Sequence, residues 1–330
     1  MEKMGGLHCM LIDILRVNTT LLQNLFCINE GLHKMEKDAL HIYCIDDDGK
    51  EWSLFQDYPC FIMRRIISEH TNVLRLLNNT DIFSEDVEAL QCICRSLVEN
   101  YADILNFSSY HRKYYNCLLY LNMSSDIRLL NSARRNNQID ILRRFMNSNE
   151  QEVNQELLLK LVDAHINALE AKKTTYYNFI RNDFSDYKWS DRDIKFGLRT
   201  KRYELLKEFN KRHQNNGDVV MQQVILLNNS INFLDSRLSQ ILHNNPETIY
   251  IDNPTKICEL IRLLIYASYG ALNAFFEYYN NIFSGNEYWI NLRENASSCL
   301  RDLYHLAFQV GPIEAPYLPN LFTFAKMQID

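Results

Sequence analysis

Apolar residues recur at three- and four-residue spacing along almost the whole chain. That is the period of amphipathic helices, not of strands. The pattern predicts a first helix from about Leu7 into the forties, broken near Gly31, and a turn at Asp46-Asp47-Asp48-Gly49. A second helix runs from about Tyr58 to Leu77, with Pro59 in the first turn, where a missing N–H leaves no bond unmade. Ser84 and the acids after it open a third, which ends near Phe107. The stretch Tyr110 to Met146 reads as two helices separated near Met123-Ser124-Ser125-Asp126. Glu150 to about Arg181 is one long helix. Ser190 caps another that reaches His213. Asn216-Gly217-Asp218 breaks the chain before a helix to His243. Asn253 and Pro254 supply a cap and a first helical residue for the next. A last helix spans roughly Trp289 to Val310, and Gly311, Pro312, Pro316 and Pro319 mark an irregular tail.

The expected fold is therefore all-α: a multi-helix bundle of about nine or ten helices closed by an irregular, Pro-containing C-terminal tail. No fixed-period repeat points to a solenoid. The expected organisation is one domain over 1–330, with sub-bundles 1–147 and 150–310 as the finer division. Asn147–Glu152 and Asn182–Ser190 are the best linker candidates.

Composition agrees. Nine Gly and six Pro in 330 residues are too few for the turns of a sandwich or barrel, and for Gly-rich phosphate loops. The apolar fraction of 47% is enough for a sizeable core. The longest apolar run, Leu263 to Phe276, is short of the roughly 20 residues a bilayer span needs, so it reads as a buried core helix. Within it, Ala267 with Ala271 and Gly270 with Ala274 are small residues four apart, which lets a neighbouring helix approach closely. The N-terminal stretch shows no basic region followed by an apolar run, so no secretory leader is predicted. Nine scattered Cys without a C-x-x-C read as buried free thiols in a reducing cytosol. The expectation is a cytoplasmic protein with no membrane contact. Abundant Asn and Tyr suit an AT-rich bacterial genome.

The formal charge of −6 excludes a wholly basic nucleic-acid binder. Two segments are locally basic. Asp191 to His213 carries eight Lys or Arg against four acids, with Phe196, Tyr203 and Phe209 interleaved. Tyr110 to Met146 carries seven against two. Arg199, Lys201 and Arg202 in the first, and Arg134 and Arg135 in the second, are candidate ligands for phosphates or another anion. The competing expectation is a solvated helix face whose aromatics are core.

Two helices place Glu four residues after Arg: Arg65 with Glu69, and Arg95 with Glu99. Such pairs are either surface ion pairs worth a few tenths of a kcal/mol or members of a covered polar network that fixes helix register. Arg95, Glu99 and Glu69 are the expected members of that network. The stretch Cys94-Arg95-Ser-Leu-Val-Glu99-Asn100-Tyr101-Ala102-Asp103 resembles the signature helix of bacterial all-helical proteins bearing Arg-x-x-x-Glu, whose activity is unsettled. That resemblance implies the helical fold.

Arg65 and His70 are similar to the Arg and His pair of HEPN-type helical ribonucleases. The resemblance implies a cation near a phosphodiester and a group that moves a proton, supplied by two protomers. Ile66 stands where that family carries a polar residue, and His70 falls near the centre of its helix's apolar face, where a buried core histidine is the competing expectation. Glu30 with His33, Asp38 with His41 and Asp302 with His305 have metal-ligand spacing, but only the first is a true Glu-x-x-His. No metal and no cofactor is expected. The leading functional expectation is a protein-interaction or self-association module, with a protein partner or a second copy as its target. The alternative is a nucleic-acid-binding or RNA-cleaving protein of a defence or toxin type.

Overall fold

The computed structural model describes residues 10, 12–21, 23, 57–79, 87–146, 153–215, 217–242, 254–283 and 287–311. Of these, 92% are helical, and no strand occurs among them. The helices are α1 (helical residues between 10 and 23), α2 (Asp57–Asn79), α3 (Val87–Tyr110), α4 (Arg112–Arg135), α5 (Ile139–Phe145), α6 (Gln155–Asp183), α7 (Leu198–His213), α8 (Val219–Leu242), α9 (Pro254–Phe283) and α10 (Glu287–Gln309). The Gly31 break, the Asp46–Gly49 turn, the Ser84 and Asn253 caps, Glu30, His33, Asp38, His41 and the tail beyond Gly311 lie outside the described residues. No helix among the described residues is long and apolar enough to cross a membrane.

The chain divides into two compact units: Met1–Ser109 with Arg202–Asp330, and Tyr110–Lys201. The division expected between 147 and 150 falls elsewhere. The reason is that α4, α5 and α6 share a core of Ile127, Leu130, Ala133, Leu142, Leu158, Val162 and Ile166. The segment expected to separate the sub-bundles therefore joins α5 to α6 inside the second unit.

In the first unit α3 and α9 are covered almost all round. Tyr101 to Ser108 is eight consecutive buried residues, and α9 is buried nearly without interruption from Leu260 to Phe275. Gly270 shows why a small residue sits in α9. A Cβ there would stand 2.9 Å from the Tyr101 hydroxyl of α3 and 3.0 Å from Val224 Cγ1 of α8. Burying polar atoms at such a crossing requires partners. The Tyr101 hydroxyl donates to Asn228 Oδ1 at 2.6 Å, and Asn228 Nδ2 donates to Asn210 Oδ1 at 2.7 Å. The break before α8 is a cap: Asp218 Oδ1 accepts from the Val220 amide at 2.9 Å.

In the second unit the break expected at 123–126 is absent. Ser and Asp cost a helix only tenths of a kcal/mol each, and apolar burial continues on both sides, Cys117, Leu118 and Tyr120 before, Ile127 and Leu130 after. The helix stops instead at Asn136, and Asn137 takes a left-handed φ of 52°, which Asn tolerates better than most residues. Asn154 Oδ1 caps α6 through the Leu157 amide at 2.8 Å. The second linker candidate is packed: Phe184 stacks on Trp189 with ring centres 5.2 Å apart, and Tyr110 meets Tyr187 hydroxyl to hydroxyl. Ser190 and Asp193 then cap each other, the Asp193 amide donating to Ser190 Oγ at 3.1 Å and the Ser190 amide to Asp193 Oδ2 at 2.9 Å. One π-helical turn, Asp193–Gly197, leads into α7.

Candidate functional site

In the first unit, Arg95 and Glu99 belong to a half-buried network larger than the pair. Arg95 lies 3.6 Å from Glu99 and 3.6 Å from Asp235 of α8. Arg202 of α7 lies 3.6 Å from Glu99 and 3.4 Å from Asp103. Two guanidiniums thus face three carboxylates, and burial, reinforced by Glu99, holds the Asp235 carboxyl above the usual carboxylate range. Arg202 and Asp103 side chains are each 10% exposed. Arg202 is thereby corrected from an anion-binding candidate to a structural one, because its guanidinium is spent on carboxylates of its own unit. Glu69 adjoins this network, within electrostatic reach of Glu99 and of Arg65 on its own helix. It accepts from Ser96 Oγ and from Asn100 Nδ2 at 3.0 Å, and burial raises its pKa.

The structure does not bring Arg65 and His70 together. Five residues along a helix place them about 140° apart. Arg65 is exposed, its guanidinium 5.9 Å from the Phe61 ring centre, whereas His70 is fully buried. Ser268 Oγ lies 2.7 Å from the Leu264 carbonyl and 3.0 Å from His70 Nε2. The hydroxyl's one proton goes to the carbonyl, so Nε2 carries hydrogen and donates to Oγ. A second proton on Nδ1 would be a buried charge, and burial lowers the His70 pKa to about 3. His70 is a core histidine tying α2 to α9.

In the second unit the two basic segments converge on a cleft of about 650 Å³. Arg128 comes from α4, Lys173 from α6, Lys195 from the π-helical turn and Arg199 from the first turn of α7. Tyr120, Tyr177 and Phe196 line it as well, and Glu170 is the one carboxylate among its lining residues. Lys173 lies 3.5 Å from Glu170, with its ammonium 5.9 Å from the Tyr120 ring centre. Lys195 stands 5.5 Å from the Tyr177 ring centre. The Tyr177 hydroxyl donates to Asp191, which holds that carboxyl below its usual range. Of the predicted cations only Arg199 lines the cleft. Lys201 pairs with Asp193 at 3.6 Å, Arg134 with Asp163 at 2.8 Å, and Arg135 is exposed with Nε donating to the Asn131 carbonyl.

The interleaved aromatics divide. Tyr203 and Phe209 are core, as a solvated basic face over an apolar one requires, but Phe196 is 84% exposed. Ile194 and Leu198, four apart, bury one side of this stretch, and Phe196, two residues from each, faces the opposite side.

A further feature was missed in the sequence. On α6 the residues Leu157, Leu161, Ala164, Ala168, Ala171, Thr175 and Phe179 are all exposed. At 100° per residue they form a stripe centred about 140° from the buried Leu158, Val162, Ile166 and Ile180. From Leu157 to Thr175 the spacings alternate four and three, which is a heptad seam, and Phe179 extends it by one more turn. A count against that template reveals it. The one hydroxyl in the stripe, Thr175 Oγ1, is satisfied by the Ala171 carbonyl at 3.3 Å.

Among the described residues no group of three His, Cys, Asp or Glu is placed to hold a metal ion. No family model, curated protein or solved structure matches this chain.

Proposed function

We propose that this chain is a self-association module in which two copies pair through the outer stripe of α6. The observation that carries the reading is a helix with two apolar faces, one buried in its own unit and the other presented to solvent as a heptad seam. The stripe is close to self-complementary about Ala168. In an antiparallel pair Leu157 meets Phe179 of the second copy and Leu161 meets Thr175, while the alanines at the crossing let the two backbones draw close. The stripe is about 33 Å long at 1.5 Å per residue, roughly three heptads, so the association is concentration-dependent rather than obligate. The burial of His70 favours a binding role over the ribonuclease alternative, since a proton-transfer group must reach its substrate. Sedimentation equilibrium of the full chain tests the proposal. The wild type passes from monomer to dimer as concentration rises, and Ala168→Glu, which places like charges against each other at the two-fold crossing, stays monomeric with an unchanged circular dichroism spectrum. A wild type that stays monomeric throughout, or a variant that dimerises equally well, removes the reading.

A further inference from the structure

We infer that the cleft of the second unit binds a ligand carrying a phosphate beside a flat aromatic base: a nucleotide, either free or as a unit of a single strand. Three independent features meet there. The first is charge. Arg128, Lys173, Lys195 and Arg199 reach the cleft from three sides, against Glu170 alone among the lining residues. Lys173 closes on Glu170 at 3.5 Å, as Lys160 does on Glu156 at 2.7 Å and Arg134 on Asp163 at 2.8 Å, but the lining cations still outnumber the one lining carboxylate. A concave surface where cations outnumber carboxylates attracts an anion, and guanidiniums beside ammoniums suit phosphate oxygens. Asp191 near Lys195 and Glu170 beside Lys173 temper that field without reversing it.

The second feature is the rim. Phe196 is 84% exposed on a π-helical turn, a local distortion that costs good hydrogen-bond geometry and that recurs at functional positions. The exposed ring lines the cleft together with its neighbour Lys195, the pairing that single-stranded and nucleotide sites use: a stacked base with a cation on its phosphate. The third feature is size and polarity. About 650 Å³ lies within the range of small-molecule sites, and the Asn178 amide on the cleft wall supplies both a donor and an acceptor for a base edge. An acidic peptide would use the cations and leave the ring without a role.

The test measures binding of three probes to the full chain: ATP, a labelled single-stranded oligonucleotide and inorganic phosphate. The expected result is that both base-bearing probes bind, more weakly as salt rises. The double variant Arg128→Glu with Lys195→Glu loses at least about tenfold in affinity for them, and Phe196→Ala loses roughly 5- to 100-fold for the base-bearing probes while leaving phosphate unaffected. Phe196→Trp keeps the binding. A tighter oligonucleotide assigns the strand as the source of the ligand, and a tighter ATP assigns the free nucleotide. The inference fails if neither base-bearing probe binds, if Phe196→Ala binds them as the wild type does, or if the charge-reversed variant does. Each variant alters a solvent-exposed side chain, and matching thermal melts verify the fold.

Discussion

Arg199 and Arg202 stand three residues apart on α7 and serve opposite ends. Arg202, in the first unit, is 10% exposed and lies between Glu99 and Asp103. Arg199, in the second, is exposed on the wall of the basic cleft. The same contrast runs through the two units. The first turns its polar groups inward: Arg95, Arg202, Asp103, Asp235, Asn228, His70 and Ser268 hold helices to one another. The second keeps a small shared core and turns Lys, Arg, Phe196 and an entire apolar stripe outward. Residue type alone does not separate a buried structural cation from one that lines a cleft; its burial and its place in the fold do.

Aromatic truncation is the sharpest way to break that comparison. Phe209→Ala empties a fully buried site in the first unit and should cost about 3–5 kcal/mol. Phe196→Ala should change stability by no more than about 0.5 kcal/mol. Urea unfolding of both variants decides it, and a similar loss at Phe196 would place that ring in a core. The next largest effect is expected from the two arginines. Arg202→Ala leaves Asp103 buried without its guanidinium and should cost ~3 kcal/mol, whereas Arg199→Ala should cost less than ~1 kcal/mol. Equal costs in chemical denaturation would erase the distinction between the units.

The smallest effect concerns pH. The folded-state pKa of His70 is about 3, below the ordinary histidine value of 6.5. A depressed pKa contributes stability that is present above 6.5 and is lost as pH falls toward 3, because the unfolded chain binds the proton first. Between about pH 6.5 and 5 this one group should account for roughly 1.5 kcal/mol of lost stability. His70→Gln should be less stable at neutral pH but flatter across that window. A variant as steep as the wild type would mean that the histidine is charged in the fold. The raised pKa of Glu69 acts in the opposite sense, since its neutral form is the one burial favours: its contribution is largest at low pH and falls as pH rises past its folded pKa.

Local signals in the sequence proved legible where one side chain meets its own helix. Ser190 caps through its hydroxyl, and the break at 216–218 supplies a capping Asp218. The small residue at Gly270 was legible too, although Tyr101 and Val224, which crowd it, come from other helices. The continuity of α4 through Met123–Asp126 was illegible for a physical reason: a weak propensity penalty is outweighed when the buried face continues through it. Phe196 misled because an aromatic ring among basic residues reads as core by its type, whereas its position two residues from the buried Ile194 and Leu198 turns it outward. The stripe on α6 escaped notice because its neighbours Leu158, Val162 and Ile166 already account for an amphipathic helix.

Helical period, the scarcity of Gly and Pro, and the capping residues determined the all-helical class and most helix starts, since those effects act within one or two turns of the chain. Which cations are neutralised, which histidine is sealed and which aromatic is left in water were decided only by the tertiary structure. Charge pairing and burial depend on residues far apart in the chain. Asp103 meets Arg202, and Ser268 meets His70, only once the helices are packed.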